Sequence, residues 1–122
     1  MTSPATPTTG LAPNVAGALS YVLGPITGVL FLVLEKENRF VRFHAAQSIT
    51  TGLVLVAISI ALSLLSTVLA FVPVLGWIVA LLLAIVMGFG SFVLWLLLMW
   101  RASQGKEWEV PFAGGLARRI VP

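Results

Sequence analysis

In 122 residues the chain has seven Lys or Arg, four Glu, no Asp and no cysteine; 9% of it is charged and 59% is hydrophobic. A soluble domain carries about 25% charged residues, so the expected solvent is lipid and the expected unit is one small membrane domain. The net charge of +3 does not point to nucleic acid. So few basic residues beside membrane-length apolar runs are orientation signals and contacts to anionic lipid. Without cysteine there are no disulfides and no thiolate chemistry, and the compartment stays open.

The Pro/Thr/Ser-rich start, Met1 to Pro13, cannot bury a core and is expected to be disordered. Residues 14–122 are then a single transmembrane helical domain. Its first apolar run, Val15 to Leu34, has 20 residues, about 30 Å as helix, the thickness of the hydrocarbon core. No Lys or Arg precedes it, so it is expected to be a retained span and not a signal peptide.

The stretch "EKENRFVRFHAAQS", Glu35 to Ser48, then holds five of the eleven charged residues. Its first part, "EKENRFVR", is expected to be the loop between two spans. Glu35 and Arg39, four apart, can pair if the helix end extends.

From Phe43 to Trp100 there is no charged residue over 58 positions, about 87 Å if wholly helical. That is enough for two crossings. The break is expected at "FVPVLGW", where Pro73 removes a donor and Gly76 permits a turn, giving helices at about 43–72 and 74–99. The expected fold class is all-α: an integral membrane protein with three transmembrane helices, a tight second–third hairpin and a short amphipathic C-terminal segment in the tail 101–122.

Lys36, Arg39, Arg42, Arg101, Lys106, Arg118 and Arg119 all fall on one side of that topology. The positive-inside rule makes this side cytoplasmic and puts the N-terminus and the hairpin outside a multi-pass plasma-membrane protein.

Helices in lipid associate through close backbone approach and polar contacts. Ala16, Ser20, Gly24 and Gly28 recur every four residues in the first span, as do Gly76, Ala80, Ala84 and Gly88 in the third. In the second, Gln47, Ser48, Thr51, Gly52, Ser59, Ser63 and Ser66 share a face with His44. This stripe is read as a packing face, with the lining of a polar conduit as the alternative. Pro25 should kink the first span and free the carbonyl of Tyr21. Trp77, Trp95 and Trp100 suit interfacial belts.

The polar cluster at the boundary of the second helix, Arg39, Arg42, His44 and Gln47, is the candidate functional site. His44 is able to titrate, although a structural role for it comes first. One His without Cys or Asp makes neither a metal site nor a Ser–His–Asp set, so no catalysis, metal or cofactor is expected. In the tail, "VPFAGGLARRIVP" repeats Phe112, Leu116 and Ile120 every four residues. It is expected to lie on the inner leaflet, or to fold back over the helix ends.

"NRFVRFHAAQSI", with Phe40, Arg42, His44 and Gln47 in order, resembles the signature of a family of small prokaryotic membrane proteins of unknown function. That family is related to the twenty-kilodalton inner-envelope subunit of the chloroplast Tic translocon. "GKEWEVPFAGGLARRI" resembles the family's ending. The resemblance, from about Asn14 to Ile120, implies an α-helical integral membrane protein with a role in protein translocation and no catalytic residues.

The expected function is therefore non-enzymatic: a subunit or scaffold of a membrane complex, contacting lipid, other membrane proteins or its own copies. The alternative is a small oligomeric channel or carrier for an ion or polar solute, with the Gln47-to-Ser66 stripe as its path.

Overall fold

The computed structural model describes residues 7–122, and the described residues form five helices and no strand. They are α1 (Pro13–Leu19), α2 (Pro25–Leu34), α3 (Arg39–Leu69), α4 (Leu75–Ser103) and α5 (Ala113–Ile120). Of the start expected to be disordered, residues 1–6 lie outside the described residues; Pro7 is buried and Thr8 bonds to Glu35.

α3 has 31 residues and α4 has 29, about 46 and 44 Å of helix. Both are long and apolar enough to cross a membrane. They pair as the hairpin expected from the break at Pro73. Val74, held at φ 65, makes the turn. A left-handed φ on a β-branched residue costs about 1–3 kcal/mol. Gly76 allows the close approach, since a Cβ there would lie 1.8 Å from the carbonyl oxygen of Leu69.

The first run departs from expectation. It is two short helices, not one span, and the proline breaks the helix instead of bending it. Pro25 has no N–H and clashes with the carbonyl four residues back. Gly24 takes φ 62, and the chain reverses there. Side chains from the neighbouring helices bond the carbonyls at the break, beside the turn's own bonds from Gly24 N to Tyr21 O and from Gly28 N to Gly24 O. The Trp95 indole N–H donates to Tyr21 O at 2.7 Å, Thr27 Oγ1 donates to Ser20 O at 2.9 Å, and Ser48 Oγ donates to Gly24 O at 2.7 Å. Pro25 thus freed the Tyr21 carbonyl as its position requires, and the consequence is a hairpin.

This hairpin starts and finishes at one end of the bundle. Asn14 Nδ2 donates to the carbonyl of Ser103, at the end of α4, and Thr8 bonds to Glu35, just past α2. The tip at Gly24 reaches the level of Ser48 and Gly52 on α3, about 14–20 Å along that helix from Arg39. The three-span layout is therefore corrected: two long helices and a half-length hairpin make up the fold. The expected opposition of the N-terminal segment to the Glu35 loop does not hold either, because Thr8 and Glu35 touch.

The small-residue face of the first run is used within the chain. Gly28 sits where a Cβ would come within 2.8 Å of Ala45 O, and Ala16 and Ser20 are buried. The corresponding face of α4 is not. Gly88 has open space where a Cβ would point, and Ala84 is exposed.

The core lies at the basic end, where α1, α2 and α5 surround the first half of α3. Fully buried there are Phe43, His44, Gln47, Glu35, Val41, Asn38 and Ser20. Beyond Gly52 the long helices expose apolar side chains, including Leu53, Val56 and Ile60 on α3 and Val86 and Phe89 on α4.

Candidate functional site

Asn38 starts α3 as its N-cap, its side-chain oxygen accepting from Val41 N at 3.1 Å. One and a half turns further on, α3 presents His44 and Gln47 to the space between α1 and the strand-free segment 104–112.

His44 Nε2 lies 2.9 Å from the carbonyl of Lys106. A carbonyl only accepts, so Nε2 carries the proton and Nδ1 is the bare acceptor. The Tyr21 hydroxyl donates to Nδ1 at 2.6 Å. Gln47 Nε2 donates both to the Tyr21 oxygen and to Trp108 O, each at 2.9 Å. Gln47 Oε1 accepts from Val110 N, also at 2.9 Å. Every donor in this chain meets an acceptor, so the geometry assigns the tautomer and the amide orientation together. Around the imidazole, Phe40, Phe43 and Tyr21 stack edge-on with centroids 4.5, 5.2 and 5.4 Å away.

The arrangement is a fully satisfied buried knot, and such a knot rigidifies the elements that share it. It ties the α1–α2 turn, through Tyr21, to α3 and to the C-terminal segment. Thr50 adds a bond to Ala113 O at 2.9 Å. Arg118 of α5 lies over the Phe43 ring at 3.9 Å and pairs with Glu109 and Glu107. The tail accordingly folds back on α3: Ala113, Gly114 and Ala117 are buried, while Phe112 and Ile120 of the apolar line are exposed.

Glu35 forms a second node at the same end. Its Oε2 accepts from Thr8 N, Thr8 Oγ1, Glu37 N and Asn38 N at 2.9–3.0 Å. Burial pushes the carboxyl up, but these bonds outweigh it and hold the pKa at about 2. The expected Glu35–Arg39 pair is absent among the described ion pairs, all of which belong to Arg118. α2 ends at Leu34, which turns the Glu35 carboxylate toward backbone N–H groups. Arg42 instead caps the end of α2, donating to Leu32 O at 3.0 Å and Glu35 O at 2.6 Å.

The candidate cluster therefore divides. His44 and Gln47 belong to the knot, Arg42 caps a neighbouring helix, and Arg39 is exposed. The stripe divides too. Ser48 and Thr51 are buried beside the hairpin tip, whereas Ser59 and Ser63 are exposed and Ser66 is half-buried. Trp95 leaves the expected belt for the hairpin tip; Trp77 and Trp100 remain exposed. Sequence reasoning missed Tyr21 and Glu35 as site residues. The signal for Tyr21 was present: a lone phenol in an apolar run needs a partner for its hydroxyl.

The model of the magnetosome magnetite crystal formation protein family matches residues 8–117. The chain belongs to that family. The match spans both nodes, α1 to α4 and the first part of α5. Relatives point to the same group. A UPF0132 membrane protein of Archaeoglobus fulgidus is 42% identical over 88% of this chain and 94% of its own length. Two from Methanocaldococcus jannaschii are 41% and 36% identical, each over 90% of this chain and over 89% and 71% of their own lengths. No solved structure matches. Family membership and the two apolar helices together make this a membrane protein of a family without a characterised function.

Proposed function

We propose that the protein is a non-enzymatic subunit or scaffold of a membrane complex, built on a rigid base that leaves part of its membrane surface for partners. One observation carries this reading. Ser59, Ser63 and Ser66 of α3 and Ala84 and Gly88 of α4 line an open groove of about 500 Å³ that none of the described residues fills. Small and hydroxyl side chains let helices approach closely in lipid, and the other such faces are already used inside the fold.

The partners are other membrane proteins or further copies of this chain. Anionic lipid meets the end where the seven basic residues gather, and that end is cytoplasmic by the positive-inside rule. In this topology α3 and α4 cross the plasma membrane and the α1–α2 hairpin dips into the inner leaflet, so both ends of the chain face the cytoplasm. A setting in protein translocation is suggested by the likeness of "NRFVRFHAAQSI" to the small prokaryotic family related to the Tic subunit. No group of three or more His or Glu side chains gathers among the described residues, and the proposal uses no metal.

Native electrophoresis after gentle solubilisation tests it. The expected result is a complex that Ser63→Leu and Gly88→Leu each disperse. A strictly monomeric species with no co-purifying protein refutes it.

The three hydroxyls in the groove also favour a second reading, a channel or carrier whose path runs along Ser59, Ser63 and Ser66 in an oligomer. Solute flux in liposomes that Ser59→Leu abolishes supports this reading; no flux across a broad panel removes it.

A further inference from the structure

Behind the hairpin tip lies a cavity of about 130 Å³ whose walls include Gly24, Pro25, Thr51, Gly52 and Trp95. Its lining is almost wholly apolar, and its size approaches the roughly 150 Å³ of apolar cavities that admit a benzene-sized molecule. One polar atom in it is unexplained. Thr51 is 6% exposed, yet its hydroxyl has no partner among the described residues. A helical Thr usually reaches the carbonyl four residues back. Here that carbonyl, Gln47 O, already takes the Thr50 hydroxyl at 3.2 Å.

The cavity also leads somewhere. Leu55, Ser91 and Leu94 wall both it and a groove of about 280 Å³ between α3 and α4, which continues along Ile58, Val86 and Gly90. Ile58, Val86 and Gly90 are exposed on the apolar surface of the long helices. The groove therefore opens to hydrocarbon and narrows to a dead end beside the unpartnered Thr51 hydroxyl.

We propose that this pocket and groove bind a molecule dissolved in the lipid phase, with a small head bearing one acceptor oxygen and an unbranched apolar tail. The head enters the cavity and accepts from Thr51 Oγ1; the tail lies along the α3–α4 groove. A charged or strongly hydrated head is excluded, because the walls are almost wholly apolar and carry no counter-charge. The chemistry is that of an apolar ketone, quinone or ester. The cavity at Thr51 shares no wall residue with the groove at Ser63, whereas the tail groove shares Leu62, Leu83 and Met87 with it.

The test uses the full chain in lipid nanodiscs with methyl nonyl ketone as probe and undecane as its acceptor-free control, read by the Thr51 methyl and Trp95 indole N–H resonances. Saturable shifts of both with the ketone, and a markedly weaker response to undecane, are expected. Thr51→Val keeps the shape and should weaken ketone binding about five-fold, the effect of losing one neutral hydrogen bond. Ser91→Leu, in the shared wall, should abolish saturation. An unchanged Trp95 resonance in ligand-free Thr51→Val shows that the fold survives. No saturable shift, equal binding of undecane, or undiminished binding by Thr51→Val overturns the proposal.

Discussion

Replacing Gln47 by Met keeps the length of the side chain and removes its hydrogen-bonding capacity. Three bonds disappear: those to the Tyr21 oxygen, Trp108 O and Val110 N. At about 1 kcal/mol net for each, the loss is about 3 kcal/mol. If Trp108 O and Val110 N stayed buried without partners, each would add a further 1–3 kcal/mol. Segment 106–112 has a cheaper route, which is to leave α3 and take water as its partner. The penalty is therefore capped by the free energy of undocking this segment, and local opening precedes global unfolding. Amide hydrogen exchange in nanodiscs reads this directly. In the parent chain Val110 N–H is protected by its bond to Gln47. In Gln47→Met its exchange should rise by about a hundred-fold, the equivalent of roughly 3 kcal/mol, while amides in the middle of α4 keep their protection. Equal protection at Val110 in both proteins would show that the knot does not hold the tail, and the rigid-base argument would fail with it.

Three further outcomes follow from the same geometry. The Glu35 carboxyl falls from 4.5 to about 2 on folding, so its contribution, of order 3 kcal/mol, is complete above pH 4.5 and is lost as the pH falls towards 2; Glu35→Gln should flatten the acid limb of a protease-sensitivity profile at residues 8–12, and an unchanged limb counts against the node. Gly28→Ala should destabilise by about 1–3 kcal/mol, because its Cβ meets Ala45 O at 2.8 Å, whereas Gly88→Ala meets open space and should be neutral or gain up to about 1 kcal/mol; thermal shifts in detergent distinguish them, and equal losses would mean that a partner covers Gly88 even there. Single cysteines at positions 10 and 37 should label from the same side of the membrane and one at position 71 from the other, which the cysteine-free background makes clean; opposite sidedness for 10 and 37 restores the three-span layout.

The long helices were legible because their signal is local. Fifty-eight residues without a charge, broken once by Pro73, fix two helices whatever surrounds them. The boundary cluster was half legible. His44 and Gln47 could be recognised as polar groups at a helix start, but their partners are the backbone of Lys106, Trp108 and Val110, about sixty residues away. No side-chain pattern marks a carbonyl as an acceptor. Glu35 was read as a solvated loop residue because its donors are four groups from Thr8, Glu37 and Asn38, three of them main-chain N–H groups equally invisible in a side-chain pattern.

The first run was misread because length alone cannot separate one span from a hairpin of half-spans. Twenty apolar residues cross 30 Å of hydrocarbon as a straight helix; folded at the middle, they line half that depth twice. The difference lies in whether a proline kinks or breaks, and that depends on who receives the freed carbonyls. In lipid an unsatisfied carbonyl costs several kcal/mol, so a break needs donors supplied from elsewhere. Here Ser48 comes from α3, Trp95 from α4 and Thr27 from α2 itself. Two of these lie outside the run, and one, Trp95, looks from its position like a belt residue. The same three donors explain why the hairpin stops where it does. Beyond Gly52 no hydrogen bond among the described residues joins either long helix to the tip, and the paired helices continue alone with grooves along their seam. The base is thus knotted by polar contacts and the outer half is left loosely paired, which is the arrangement that the proposed role, a seam open to partners, requires.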